Sequence, residues 1–277
     1  MSGERLAAAI ASHCPELWDN DPRLAQRMGV PTATRGHPAR WVRTQGRTGC
    51  PTAFSRNRPT FRWNENDARV RIGVCSDVHG RHDRLLAVLA AMAAAGVDER
   101  WCLGDLVGRE PVTAELVGAA SQLDLLIAGN HDAWALGPDQ VVARGRDVFR
   151  LSSRALASRH GIDCWHGSPR HPLLGFLTEA SAARILPGRP LGSLGLVGHT
   201  HEPALFVYDG AATRAVRPVP GESYDWLATG AFMANPGAVC GNPRDAASWW
   251  LIVDIDARLM RWHRKAFGTE EAAAACL

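Results

Sequence analysis

The alternation of apolar and polar positions divides the chain near residue 68. Between Val30 and Pro59 the sequence is dominated by Pro, Gly, Thr and Arg, and no period persists. A short helix over Glu4–His13 is the one element expected there, and residues 1–68 read as a largely irregular extension carrying Trp18, Trp41 and Trp63. From Val70 the pattern becomes regular and predicts a second region, residues 69–267, followed by a tail over 268–277. Val70–Cys75 is an apolar run of the kind a buried strand carries. Arg84–Ala95 places Leu85, Leu86, Leu89 and Met92 at helical spacing, with Gly96 where a helix cap would stand. Trp101–Leu103 reads as a strand, Pro111–Ala120 as a helix opened by proline, Leu123–Ala128 as a strand and Ser152–His160 as a helix. Ile162–Trp165 and Leu194–Val197 are further strands.

Strands alternating with helices predict an α/β sheet. After His201 the pattern changes to strands separated by turn residues: Ala204–Tyr208, Ala215–Val219, Phe232–Asn235, Ser248–Ile255 and Leu259–Lys265. The last two form a hairpin around Asp256-Ala257. The expected whole is two sheets packed face to face with helices outside.

Composition narrows the picture. The 277 residues are 46% hydrophobic and 21% charged, which excludes disorder over the whole length. Ten Arg against six acidic residues give residues 1–68 a charge of +4, so a total of +3 leaves the remainder at −1. A near-neutral body without a basic stripe speaks against a nucleic-acid partner. The seven cysteines are scattered and contain no C-x-x-C pair, so neither a disulfide scaffold nor a zinc ribbon is expected. Cys75, Cys102 and Cys164 sit in apolar runs and read as small buried hydrophobes. No apolar run reaches the ~20 residues that span a bilayer, and no secretory leader is recognisable. The expectation is a cytoplasmic protein with no membrane partner.

Five clusters place His, Asp or Asn directly after an expected strand. They are Asp77-Val78-His79-Gly80, Gly104-Asp105, Gly129-Asn130-His131-Asp132, His166-Gly167 and Gly198-His199-Thr200-His201. Ligands of open α/β sheets bind at the carboxyl ends of strands, so the five can converge on one pocket. Imidazole nitrogen and carboxylate oxygen suit borderline divalent ions, and the clusters contain no cysteine. Their donors are too many for one tetrahedral ion, whereas two ions sharing a carboxylate would use them economically. A pair of ions ~3.5–4 Å apart suits phosphoryl displacement. Gly80, Gly104, Gly129 and Gly198 can relieve tight strand-to-loop turns and let backbone approach metal or phosphate.

This ordered set resembles the calcineurin-like metallophosphoesterase superfamily over roughly residues 70–265. The resemblance implies a four-layer α/β/β/α sandwich of two mixed sheets, the metallo-dependent phosphatase fold. It implies two divalent metal ions, manganese first, with iron, zinc, nickel, cobalt or magnesium as alternatives. Asp77, His79 and His201 would hold one ion, and Asn130, His166 and His199 the other. Asp105 would bridge them, and a hydroxide between the ions would be the nucleophile. His131 would stabilise phosphoryl oxygens or protonate the leaving oxygen, as an imidazole can near pH 7. Asp132 would orient His131 or cap a helix.

The segments Leu103–Gly108, His166–Pro172, Gly198–Pro203 and Asn235–Asp245 are similar to bacterial stand-alone phosphodiesterases and diadenosine tetraphosphatase-like members. The last carries one extra residue around Cys240-Gly241. Arg109, Arg170 and Arg244 are candidate phosphate contacts, since a planar guanidinium suits bidentate binding, with a surface ion pair as the alternative for Arg170 and Arg244. Gly104-Asp105-Leu106-Val107-Gly108-Arg109-Glu110 departs from the G-D-x-x-D-R-G of protein phosphatases, which argues against a phosphoprotein substrate. The expected activity is hydrolysis of a phosphodiester or nucleotide pyrophosphate in a small phosphorylated substrate. Phosphomonoester hydrolysis is the alternative, and a non-catalytic scaffold a remote one. The sequence gives no oligomeric state.

Overall fold

The computed structural model describes residues 70–108, 112–135 and 155–267. The extension with its helix and its tryptophans, Arg109 and the C-terminal tail lie outside the described residues.

Twelve strands and four α-helices are described. They run β1 (Arg71–Cys75), α1 (His82–Ala94), β2 (Glu99–Cys102), α2 (Ala114–Ala120), β3 (Leu125–Leu126) and α3 (Asn130–Ala135). After residue 155 follow β4 (Leu156–Arg159), β5 (Ile162–Trp165), α4 (Glu179–Ile185), β6 (Leu194–Leu196), β7 (Ala204–Tyr208) and β8 (Thr213–Val216). The remaining strands are β9 (Ser223–Asp225), β10 (Ala231–Asn235), β11 (Ser248–Asp254) and β12 (Leu259–Lys265). They form two six-stranded sheets, ordered β3-β2-β1-β11-β12-β9 and β4-β5-β6-β10-β7-β8. Both are mixed. In the first, β1, β2 and β3 are parallel and β11, β12 and β9 antiparallel. In the second, β5, β6 and β10 are parallel, flanked by antiparallel β4, β7 and β8.

Three cores separate four layers. Val88, Leu89 and Met92 of α1 and Leu116 of α2 pack on Cys75, Trp250 and Ile252 of the first sheet. Ile72, Val74, Trp101, Trp249, Leu251 and Trp262 face the second sheet, where Cys164, Leu196, Leu205 and Phe232 meet them. Beyond it, Ala182 of α4 and Leu186 cover Phe206, Ala231 and Met233. This is the expected α/β/β/α sandwich. Strand β11 shows why its sequence is an unbroken apolar run. Trp250 and Ile252 face the helices while Trp249, Leu251 and Val253 face the other sheet, so both faces are covered. Gly73 lets α1 lie close, since a Cβ there would stand 2.6 Å from Met92 Sδ. No helix among the described residues is long and apolar enough to cross a membrane.

Residues 152–154 of the helix expected over Ser152–His160 lie outside the described residues, and the described part is not helical: residues 156–159 are β4, an edge strand paired antiparallel with β5. The cause is the turn. His160 (φ 52°) and Gly161 (φ 73°) make a two-residue loop with both φ values positive, the geometry that joins hairpin strands. This outweighs the helical leaning of Leu156 and Ala157. The strand expected over Leu123–Ala128 shrinks to two residues. The helix expected from Pro111 starts at Ala114, where Thr113 Oγ1 accepts the Leu116 N–H. Three of these elements were missed: α3, short β9, and α4, whose N-terminus is fixed by reciprocal bonds between Thr178 and Ser181.

Trp262 ties the inter-sheet core to the site. Its ring is fully buried and its Nε1 donates to the Asn235 carbonyl (2.8 Å). Trp262→Ala is expected to lower unfolding stability by about 3–5 kcal/mol, read from urea denaturation. A loss below about 1 kcal/mol would show that the sheets close over the gap.

Candidate metal centre

All five clusters emerge at carboxyl ends of parallel strands: Asp77 and His79 after β1, Asp105 after β2, Asn130 and His131 after β3, His166 after β5, and His199 and His201 after β6. Beyond the strand ends the loops stay laced by backbone hydrogen bonds. Val78 and His79 both donate to the Asp105 carbonyl (2.8 and 2.9 Å), and Gly80 donates to that of Leu106 (2.9 Å). Gly198 donates to His166 (2.8 Å), and Val239 to Ser76 (2.9 Å).

The backbone is strained where the donors sit. Among the described residues seven non-glycine positions have positive φ, and five of them are Asp77, His79, Asp105, His199 and His201. Such conformations cost of order 1–3 kcal/mol each and persist only where the surroundings over-determine them. The laced loops supply that constraint.

Two glycines keep the loops close by lacking a side chain. A Cβ on Gly129 would collide with the backbone nitrogen and carboxylate of Asp105, and one on Gly198 with Ser76 Oγ. Gly129→Ala is therefore expected to displace Asp105 and reduce metal content, measured by elemental analysis, while far-UV circular dichroism stays native. Undiminished metal content would mean that the two loops can part without cost.

The donors converge. Asp105 Oδ2 lies 3.6 Å from His79 Nε2 and 3.4 Å from His166 Nε2, so this buried carboxylate stands between two imidazole groups. On one side His79 and His201 meet Nε2 to Nε2 at 3.1 Å, with Asp77 Oδ1 3.4 Å from His201 Nε2. On the other, His166 Nε2 lies 3.1 Å from Asn130 Oδ1, and the His166 and His199 rings are 5.0 Å apart. His166 Nδ1 faces the Leu103 carbonyl at 2.8 Å, which fixes that ring.

The electrostatics fit cations. Burial pulls His79 down to about 4, against the raising influence of Asp77 and Asp105. Burial likewise brings His199 down to about 4. Both are neutral at pH 7 and keep a lone pair to donate. Burial opposes the charges of Asp105 and His166, yet their mutual attraction holds the Asp105 carboxyl down and raises the His166 imidazole. Asp77 Oδ1 and His199 Nε2 are buried with no hydrogen-bond partner among the described residues. Buried polar atoms are normally satisfied, so two orphans facing one centre are what cation ligands would leave.

Several groups that build the centre were not singled out from the sequence. Asn235 is buried, and its Nδ2 donates to the Gly198 carbonyl (2.8 Å) and Thr200 Oγ1 (3.0 Å), clamping the loop that carries His199 and His201. Asn242 Nδ2 donates to the His201 carbonyl (3.1 Å), and its Oδ1 folds the 242–245 turn by accepting from the backbone N–H groups of Arg244 and Asp245. Arg84 of α1, fully buried, donates to the carbonyls of Cys240 (2.7 Å) and Ala246 (2.6 Å). The Cys240 sulfur lies 3.8 Å from His201 Nδ1, on the outer side of that ring. Only Asn235 carried a local signal, its place at a strand end before Pro-Gly.

The match to known proteins decides the family. Residues 70–258 match the calcineurin-like phosphoesterase superfamily domain. The chain belongs to that superfamily. A metallophosphoesterase from Sphaerobacter thermophilus is 30% identical and superposes with a TM-score of 0.60, covering 75% of this chain and 93% of its own. An uncharacterized protein of Methanocaldococcus jannaschii is 27% identical over 215 residues, 68% of this chain and 84% of the relative. The symmetrical bis(5'-nucleosyl)-tetraphosphatase of Klebsiella pneumoniae is 36% identical over 81 residues, 28% of this chain and 29% of that enzyme. This phosphoesterase is thus a hydrolase of phosphoester bonds from a metal-dependent family, and its described residues hold groups able to bind metal.

Within it, the remaining expected residues fall into different places. His131 turns its ring toward the centre, edge-on to His79 with centroids 4.6 Å apart, and its N–H donates to Asp105 Oδ1 (2.8 Å). Asp132 was expected either to orient His131 or to cap a helix, and its described contacts are of the second kind. Its two oxygens accept from the backbone of Val107 (2.9 Å) and Gly129 (2.8 Å), so the carboxylate braces the two loops and closes the start of α3. Burial, aided by the charge of Asp105, pushes that carboxyl up to about 6. Arg244 pairs with Glu202 at 2.8 Å, with side chains 77% and 55% exposed, the surface ion pair that was its alternative reading. Arg170 is exposed on the loop after β5 and has no ion pair among the described residues.

Proposed function

We propose that this phosphoesterase uses two divalent ions, manganese the first choice, to hydrolyse phosphodiester or nucleotide pyrophosphate bonds. The observation that carries the reading is the position of Asp105, one carboxylate oxygen 3.6 and 3.4 Å from imidazoles of two separate groups. Asp77, His79 and His201 would hold one ion and Asn130, His166 and His199 the other, with Asp105 shared. Bound there, the pair would supply a deprotonated water at neutral pH and offset charge on the phosphoryl oxygens.

The chain's own part is positioning and proton handling. Leu103 O fixes the His166 ring, Asn235 clamps the loop bearing His199 and His201, and Asp132 ties the loops of Asp105 and Asn130 together. His131, half-buried beside His79, would donate to a phosphoryl or leaving oxygen. The partial likeness to a bis(5'-nucleosyl)-tetraphosphatase supports a nucleotide substrate.

The test is turnover of bis-p-nitrophenyl phosphate, diadenosine tetraphosphate and p-nitrophenyl phosphate by the full chain with Mn, Co, Ni, Fe or Mg. Metal-dependent cleavage of either of the first two, abolished by chelator, is expected. Folded protein inert with every ion would sink the proposal, and cleavage of the monoester alone would move it to phosphomonoesters.

A further inference from the structure

A cavity of about 550 Å³, within the range that holds small-molecule ligands, lies beside the loop of His199 and His201, reached through Thr200 and through Phe176, whose ring meets that of His199. It lies between the start of α4, Thr200 and the residues after it, β7 and β8, and the turn carrying Arg244. Phe176 stands on its wall with 63% of its surface exposed. A lone exposed phenyl group is ordinary, but this one is held in place. Its ring lies 4.5 Å from that of His199, its carbonyl accepts from Ser181 Oγ (3.2 Å), and the next residue, Leu177, is buried in the α4 core.

The charges lining the cavity cancel. Arg217 and Arg244 face Glu179 and Glu202, and Arg244 is bonded to Glu202. A phosphate chain would find no net attraction there, while a neutral, planar group would find an aromatic wall with donors and acceptors at the rim. We infer that this cavity seats the nucleoside end of a nucleotide substrate, its base stacked on Phe176 and its phosphates directed to the candidate metal centre. The inference rests on the phosphoesterase reading above. Stacking does not select among bases, so it sets the class of substrate rather than its sequence letter.

Isothermal titration of AMP and of inorganic phosphate into manganese-loaded full chain tests it, with wild type, Phe176→Ala and Phe176→Trp. Phe176→Ala is expected to weaken AMP roughly 5- to 100-fold and Phe176→Trp to retain it, while phosphate binds all three alike. AMP indifferent to the residue, AMP and phosphate weakening in parallel, or no AMP binding by wild type would each overturn the inference. Turnover of bis-p-nitrophenyl phosphate by wild type separates the two readings. If it is present while AMP ignores Phe176, the cavity assignment alone falls. If it is absent with every ion, the hydrolase reading falls and the AMP result still decides the cavity.

Discussion

Replacing Asp105 with asparagine is expected to remove bound metal and turnover together. One oxygen of this carboxylate serves the gap between His79 and His166, and the other accepts the His131 N–H. An amide of the same size can offer an acceptor to only one of these neighbours, so its NH2 group must face either the imidazoles or another N–H. The negative charge shared between the two halves is also lost. Residues that merely support a ligand already cost 10–100-fold in metal affinity or activity when changed, and a shared donor is expected to exceed that. Inductively coupled plasma mass spectrometry and turnover of bis-p-nitrophenyl phosphate read the two effects, with circular dichroism reporting the fold. A variant that keeps full metal content and full rate would take Asp105 out of the centre.

His131→Ala is expected to do something different. The His131 backbone, not its ring, grips Asp105, so alanine preserves that bond. Metal content is expected to stay at the wild-type value while the rate falls on the order of 10²–10⁴-fold, the span of lost general acid catalysis. Metal lost along with the rate would make the imidazole a ligand, which its place beside His79 and Asp105 also allows. An unchanged rate would leave it without a chemical part.

The donor clusters were legible because each sits at the end of a strand whose apolar run is itself legible, as with Val70–Cys75 before Asp77. Topology then delivers them to one place. What failed to show were features created only by the third dimension. Arg84 reads as an ordinary helix residue until the turn holding Cys240 folds over α1. Residues 156–159 read as helix because the deciding residues, His160 and Gly161, act through backbone angles. The glycines were read correctly as a group but with one role too few. Gly80 and Gly104 take up positive φ, whereas Gly129 and Gly198 serve by leaving room for Asp105 and Ser76. The left-handed backbone at Asp77, His79 and Asp105 was not read from the sequence, since neither Asp nor His marks that conformation as glycine does and the cost is met by neighbouring loops.

The lacing of those loops runs through main-chain atoms: Val78 and His79 to Asp105, Gly80 to Leu106, Gly198 to His166. Amide and carbonyl groups are common to every amino acid, so the chassis is indifferent to which head group each rung displays. Reactive fittings can thus be exchanged one at a time while the mounting stays rigid, which makes this end of the sandwich a ready bench for installing other donor sets by substitution.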